Sequence, residues 1–193
     1  LNAYEPLIPR VPLPDSLDAT SLTWQTGGNR PWFGQTLSSS DGVDAARCGN
    51  IADNQFSWVS TTVTGPGILW FYWRVSSEEN ADYMFFTVHG ELVDYISGES
   101  GWLEDVIEIP AGTHTLRWDY DKDVNIWEGA DKGWLDDVLY LRDTGGPTIT
   151  VTSPTPPYLT DTDVLLEGTA SDLFGVETLE CRVSNANGVG PWE

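Results

Sequence analysis

Between Gly65 and Gly90 the hydrophobic pattern describes two strands whose apolar residues occupy both faces. Side chains alternate in an extended strand, so Leu69, Phe71, Trp73 and Val75 share one face while Ile68, Trp70, Tyr72 and Arg74 share the other. In the second run Met84, Phe86 and Val88 oppose Tyr83, Phe85, Thr87 and His89. A sheet with one solvated face alternates apolar with polar, so the second face here calls for cover by another sheet, a ligand or a partner. Short β-rich runs broken by Gly, Pro, Asn and Asp continue from Leu22 to Leu141, and no segment sustains a helical period. The spacing predicts strands near 22–25, 44–49, 55–64, 67–76, 83–89, 91–97, 102–109, 113–121 and 134–142. Gly65-Pro66-Gly67, His89-Gly90 and Pro110-Ala111-Gly112 have turn chemistry and are expected to close hairpins. The expected fold is all-β, an antiparallel β-sandwich over residues 17–143.

The flanks differ. Residues 1–16 contain Pro6, Pro9, Pro12 and Pro14, which fix φ, remove donors and predict an extended linker or arm. Asp143-Thr-Gly-Gly-Pro147 breaks the strand pattern and makes 144–147 a linker. Residues 148–193 then supply about three strands, fewer than the roughly seven of a closed sandwich.

Composition narrows the function classes. Ten tryptophans and 40% apolar residues in 193 positions are ample material for a core. Nine basic residues against 30 acidic give a formal charge of −21, which repels nucleic acid and anionic membranes and favours cations. No apolar run reaches the roughly 20 residues that cross a bilayer, and no basic leader is followed by an apolar stretch, so a soluble chain, processed if secreted, is expected. Cys48 and Cys181 are the only cysteines. They are candidates for a disulfide with each other, for a bridge between chains, or for two free thiols. His89 and His114 show no metal spacing, and no nucleophile elbow is present, so a non-catalytic protein is expected.

Acidic and aromatic residues supply the candidate sites. Asp119, Asp121, Asp123 and Asn125 resemble the start of a calcium loop, but Val124 replaces its turn glycine and Ala130 its bidentate Glu, which rules out the helix-loop-helix form. A discontinuous calcium site drawn from Glu78, Asn80 and Asp82 with Asp131, Asp136 and Asp137 is the alternative, because Ca²⁺ collects six to eight oxygens that loops can bring together. Trp32, Trp102 and Trp127 fall near turns and are candidates for stacking on sugar rings. Trp70, Tyr72 and Phe85 lie mid-strand and are candidates for a protein interface.

Leu22-Thr-Trp24, Thr26-Gly-Gly, Pro31-Trp-Phe-Gly-Gln35, Asp41-Gly-Val-Asp-Ala-Ala46, Asp53-Asn-Gln55, Thr61-Thr-Val-Thr-Gly-Pro-Gly67 and Val75-Ser-Ser-Glu78 resemble a recurrent module of secreted bacterial multidomain proteins. Ile96-Ser-Gly-Glu99, Ile109-Pro-Ala-Gly112, His114-Thr-Leu-Arg-Trp118 and Gly133-Trp134-Leu-Asp136 extend the likeness over residues 18–142. The module resembles the jelly-roll class of MAM and cleaved-adhesin domains. The resemblance implies a jelly roll, adhesion or carbohydrate binding, and a structural calcium ion. Ile149-Thr-Val-Thr-Ser-Pro154, Gly168-Thr-Ala-Ser-Asp172 and Gly175-Val176 are similar to the first part of a bacterial immunoglobulin-like repeat, which implies a partial immunoglobulin-like β-domain over 148–193. The expected function is a binding or adhesion module of a secreted or cell-surface protein, with a glycan or cell-surface protein as partner and calcium as cofactor. Self-association into an extracellular assembly, through the apolar outer face, the Pro-rich arm and the incomplete domain, is the alternative.

Overall fold

The computed structural model describes residues 10–124, 128–153, 166–172, 175–176, 178–180, 184–185 and 188–189. The chain divides into two compact units, Leu1–Arg142 and Asp143–Glu193. The first contains strands β1 (Trp24–Gly28), β2 (Phe33–Gln35), β3 (Ala45–Arg47), β4 (Phe56–Ser76), β5 (Tyr83–Val88), β6 (Glu91–Ser97), β7 (Leu103–Asp121) and β8 (Lys132–Arg142). All their pairings are antiparallel.

Two strands organise the unit. β4 and β7 pair along almost their whole length, from Phe56 opposite Asp121 to Trp73 opposite Leu103, with an irregularity at Gly65/Gly67. The first half of β4 and the second half of β7 belong to one layer, ordered β1-β4-β7-β5-β6. Their other halves belong to the second layer, ordered β2-β3-β8-β4-β7. The ladder must fold over between them, because the Phe71 ring on the second half of β4 lies 5.2 Å from Trp118 and 5.0 Å from Phe86 on the first layer. The expected all-β antiparallel sandwich is therefore what forms.

Two of the three expected hairpins are corners instead. Gly65 faces Gly112 across the ladder, so Gly65-Pro66-Gly67 and Pro110-Ala111-Gly112 bend two paired strands together rather than reversing either. A Cβ at Gly65 would sit 2.0 Å from the Pro110 carbonyl oxygen, so the close approach requires glycine. His89 and Gly90, with φ of 53° and 87°, do close a tight hairpin between β5 and β6.

The inward residues form one core: Val59, Val63, Leu69, Phe71, Trp73, Val75, Met84, Phe86, Ile109, Leu116, Trp118, Tyr120 and Leu135 are buried together with Leu17, Trp32 and Cys48. These aromatics meet edge-on or tilted, as ring quadrupoles favour. Leu17 ends a single 3₁₀ turn, Asp15–Leu17, and Val11 pairs with Gly34 of β2. Residues 10–16, read from sequence as part of an extended arm, thus dock on the sandwich. Leu17 is buried and Leu13 partly so, while the nitrogens of Pro12 and Pro14 need no hydrogen-bond partner. Residues 1–9 lie outside the described residues.

The second unit shows β9 (Thr148–Ser153) paired with β10 (Glu167–Ser171), and β11 (Ser184–Asn185) paired with β12 (Gly188–Val189). Ile149, Val151, Leu166 and Leu179 are exposed there.

Candidate functional site

The outer face of the first layer combines rings with charges in register. One row crosses the strands as Gly27, Trp58, Asp119, Phe85 and Tyr95, each opposite the next. The row beside it runs Phe56, Asp121, Tyr83 and Ser97. Tyr83 and Phe85 stack at 5.4 Å with ring planes 21° apart, and Tyr95 stands edge-on to Tyr83 at 5.7 Å. Trp58 spreads over Gly27, where a Cβ would meet its indole at 2.6 Å. Arg117 lies over the Trp58 ring, 4.8 Å from its centroid, and forks onto both oxygens of Asp119, with Nε donating to Oδ2 at 2.7 Å. The result is a cluster of aromatic rings beside a fixed polar ridge, which suits a ligand with both CH groups and hydroxyl groups.

Sequence reasoning assigned the aromatic residues differently. Trp32 was expected to stack on sugar, but it is 3% exposed and belongs to the core, its backbone N–H donating to Thr26 Oγ1 at 2.7 Å. Proximity to a turn did not expose the ring, because the chain just before β2 places it inward. Trp102 is half-buried just before β7, and Trp127 lies outside the described residues. Trp70, Tyr72 and Phe85 do not form one patch. β7 separates β4 from β5, and the corner puts Trp70 and Tyr72 on the outer face of the second layer and Phe85 on that of the first. Around Trp70, exposed Val106 and Leu139 sit directly opposite on its two sides, so that second face is mainly apolar.

The acidic candidates separate into two places. Asp136 and Asp137 lie within β8, at an irregularity in the ladder where β8 carries one extra residue. Asp137 has φ 49°, and such a bulge redirects its side chain. Its carboxylate meets those of Asp18 and Asp41, with oxygens of all three within 4.8 Å of one another. Neither Asp18 nor Asp41 was a sequence candidate, since residues so distant along the chain show no common spacing. Burial, reinforced by Asp137, Asp41 and Asp44, raises the Asp18 carboxyl above its ordinary range. Asp136 is fully buried beside them, with Oδ2 accepting the Ser40 N–H at 2.6 Å and Oδ1 the Asp137 N–H at 3.0 Å. Burial nevertheless pushes its carboxyl to about 6, although the Ser40 hydrogen bonds oppose the shift.

Asp131 is committed elsewhere. Its Oδ2 pairs with the buried Lys122 ammonium and its Oδ1 accepts from Tyr120 Oη at 3.0 Å, so the chain's own cation takes the place expected for calcium. Lys122 also pairs with Asp53 at 3.3 Å. Glu78 and Asp82 lie within electrostatic reach of the same Lys122, and Asp82 of Asp131 as well. Asp82 is fully buried and accepts the Asp123 N–H at 2.9 Å, while Asp82 Oδ2 and Glu78 Oε2 have no hydrogen-bond partner among the described residues. Asn80 is exposed with φ 61°, and its backbone N–H donates to Ser97 Oγ at 2.8 Å. The six expected ligands therefore do not meet at one point: Glu78, Asp82 and Asp131 gather around Lys122, and Asp136 and Asp137 have other partners.

Cys48 is a free, buried thiol, pushed up to about 11 by burial, and its sulfur accepts the Gly133 N–H at 3.2 Å. The proposed partner, Cys181, lies outside the described residues. Among the described residues no helix is long and apolar enough to cross a membrane.

No protein-family model matches the chain, and no curated protein matches its sequence. Among solved structures, the chain is similar to the K3 cleaved adhesin domain of Lys-gingipain from Porphyromonas gingivalis w83, at 12% identity and TM-score 0.49, covering 62% of this chain and 91% of that one. It is also similar to TmCBM61, solved in complex with β-1,4-galactotriose, at 13% identity and TM-score 0.46 over 62% of this chain and 88% of that one. A third similarity, to the secreted serine protease VesC from Vibrio cholerae, has 12% identity and TM-score 0.47. It spans 57% of this chain but only 24% of the protease.

Proposed function

We propose that the first unit is a non-catalytic glycan-binding module of an extracellular or cell-surface protein, and that it binds on the outer face of the first layer. The observation that supports this reading is the row Trp58, Asp119, Phe85 and Tyr95. It sets aromatic rings and a fixed Arg117–Asp119 fork side by side across the inner strands β4, β7 and β5 and the edge strand β6. Rings of this kind stack on the CH faces of sugars, while the fork and the Tyr95 hydroxyl offer donors and acceptors to sugar hydroxyls.

Calcium belongs to the same reading as a structural ion at Asp18, Asp41 and Asp137. The fit is chemical: Ca²⁺ takes oxygen ligands at about 2.3–2.6 Å, so oxygens on opposite sides of one ion stand roughly 5 Å apart, close to the 4.8 Å limit that contains this group. The ion would tie the segment before β1 and the loop before β3 to β8.

Isothermal titration of the full chain against a panel of neutral polysaccharides tests the platform. Phe85→Ala and Tyr95→Ala are each expected to weaken binding about tenfold, with the thermal transition showing that the fold persists. Failure of the wild type to bind any polysaccharide would overturn the reading.

A further inference from the structure

The two rows of the platform share one arrangement, yet only one of them is served by a cation, Arg117, which reaches it from the next row along β7. In the first, Asp119 stands between Trp58 and Phe85, and Arg117 supplies a guanidinium that stacks on the indole and forks onto the carboxylate. In the second, Asp121 stands between Phe56 and Tyr83. Directly opposed residues of neighbouring strands have Cβ atoms roughly 5 Å apart, so both rings flank this carboxylate. Asp121 has no hydrogen-bonding or ion-pairing partner among the described residues. Its charged neighbours on the face are Asp119 and Arg117, and Arg117 is already engaged by Asp119.

We propose that Asp121, between Phe56 and Tyr83, is an ammonium subsite of the glycan platform, and that the glycan it receives carries free amino groups, as in a glucosamine chain. This rests on the glycan reading above and specifies its ligand. A carboxylate flanked by aromatic rings is a chemistry that recognises ammonium groups, because the anion and the ring quadrupoles attract the same cation. The local balance agrees: two carboxylates against one guanidinium leave the ridge with a net negative charge. Burial and the neighbouring Asp119 push the Asp121 carboxyl to about 6, as expected for an anion without its own counter-charge. The chain's formal charge of −21 further opposes glycans that carry carboxylates or sulfates. A lysine-rich peptide offers the same cation, but Asp121 lies on β7, which has strand neighbours on both sides and is separated by β5 from the edge strand β6, so a peptide backbone adding at that edge would not lie beside Asp121. The stacked Tyr83 and Phe85 shelf instead favours a ring-shaped partner.

The full chain can be titrated with a glucosamine hexamer, its N-acetylated counterpart and a lysine hexamer, using the wild type and Asp121→Asn. The glucosamine hexamer is expected to bind about tenfold more tightly than the acetylated one, a preference that Asp121→Asn reduces to within about twofold and Asp121→Glu restores. Equal affinity of the wild type for the two hexamers overturns the ammonium subsite while leaving the platform intact. A preference that survives in Asp121→Asn also overturns it. Lysine hexamer binding as tight as glucosamine hexamer binding overturns the glycan assignment of the subsite. Absence of binding by these hexamers and by neutral polysaccharides alike removes the platform reading and this inference together.

Discussion

The Lys122 centre and the Asp18–Asp41–Asp137 group are both carboxylate clusters on the same sandwich, but they balance their charge in opposite ways. At the first, a lysine from the end of β7 points inward, and its ammonium lies between Asp131 and Asp53, with Tyr120 satisfying the remaining oxygen of Asp131. At the second, three carboxylates from three segments meet beside the buried Asp136, and no described lysine or arginine pairs with them. Acid content alone therefore does not identify a metal site. What distinguishes the two places is whether the chain carries its own cation to the spot.

Three changes would break or sharpen that contrast. The largest effect is expected from Lys122→Met, which leaves Asp131 and Asp53 facing each other around an apolar side chain. Removing one partner of a fully buried ion pair costs about 3–5 kcal/mol, and because Asp131 and Asp53 are partly exposed, urea unfolding should show a loss of about 2–3 kcal/mol. A change below about 1 kcal/mol would mean that the centre is not balanced by Lys122. The next effect is calcium itself. A ligand at 100 times its dissociation constant stabilises by about 2.7 kcal/mol, so millimolar Ca²⁺ should raise the thermal midpoint of the wild type by several degrees. Asp137→Asn should abolish that rise, whereas Asp131→Asn should leave it in place. Equal responses of the two variants would erase the distinction between the clusters.

The smallest effect is a pH dependence at Asp136. Its folded carboxyl titrates at about 6, above the ordinary 3.8, so the folded protein binds this proton more tightly than the unfolded chain does. Its contribution is therefore fully present below about pH 4 and is lost as pH rises through 6. After allowance for relaxation of the site this amounts to roughly 1–2 kcal/mol. In calcium-free buffer, the stability difference between the wild type and Asp136→Asn should shift by that amount between pH 4 and 7. A pH-independent difference would show that the Ser40 and Asp137 hydrogen bonds have already offset the burial.

The strand pattern was legible wherever its cause was local. Alternation along 67–76 and 83–89 assigns Leu69, Phe71, Trp73, Met84 and Phe86 to the core correctly, because period two belongs to each strand by itself. Which strands become neighbours does not. Trp70 and Phe85 looked adjacent because their strands follow one another, but β7 inserts between those strands and the corner carries the residues to opposite layers. The Gly-Pro-Gly sequence fits either a reversal or a bend, and only the pairing of Gly65 with Gly112 decides between them. Asp137 was found from its sequence neighbourhood, whereas Asp18 and Asp41 were missed because only folding brings them to it. The platform was hidden for a related reason: its row draws one residue from each of five strands.

The shared strands also govern how the sandwich comes apart. A sandwich assembled from two independent sheets has a seam along which one sheet can melt while the other persists. In this molecule β4 and β7 lie next to each other in both layers, so each sheet continues through the corner into its partner. Loosening either one frees backbone that the other requires, and the first unit is in consequence a single cooperative melting block.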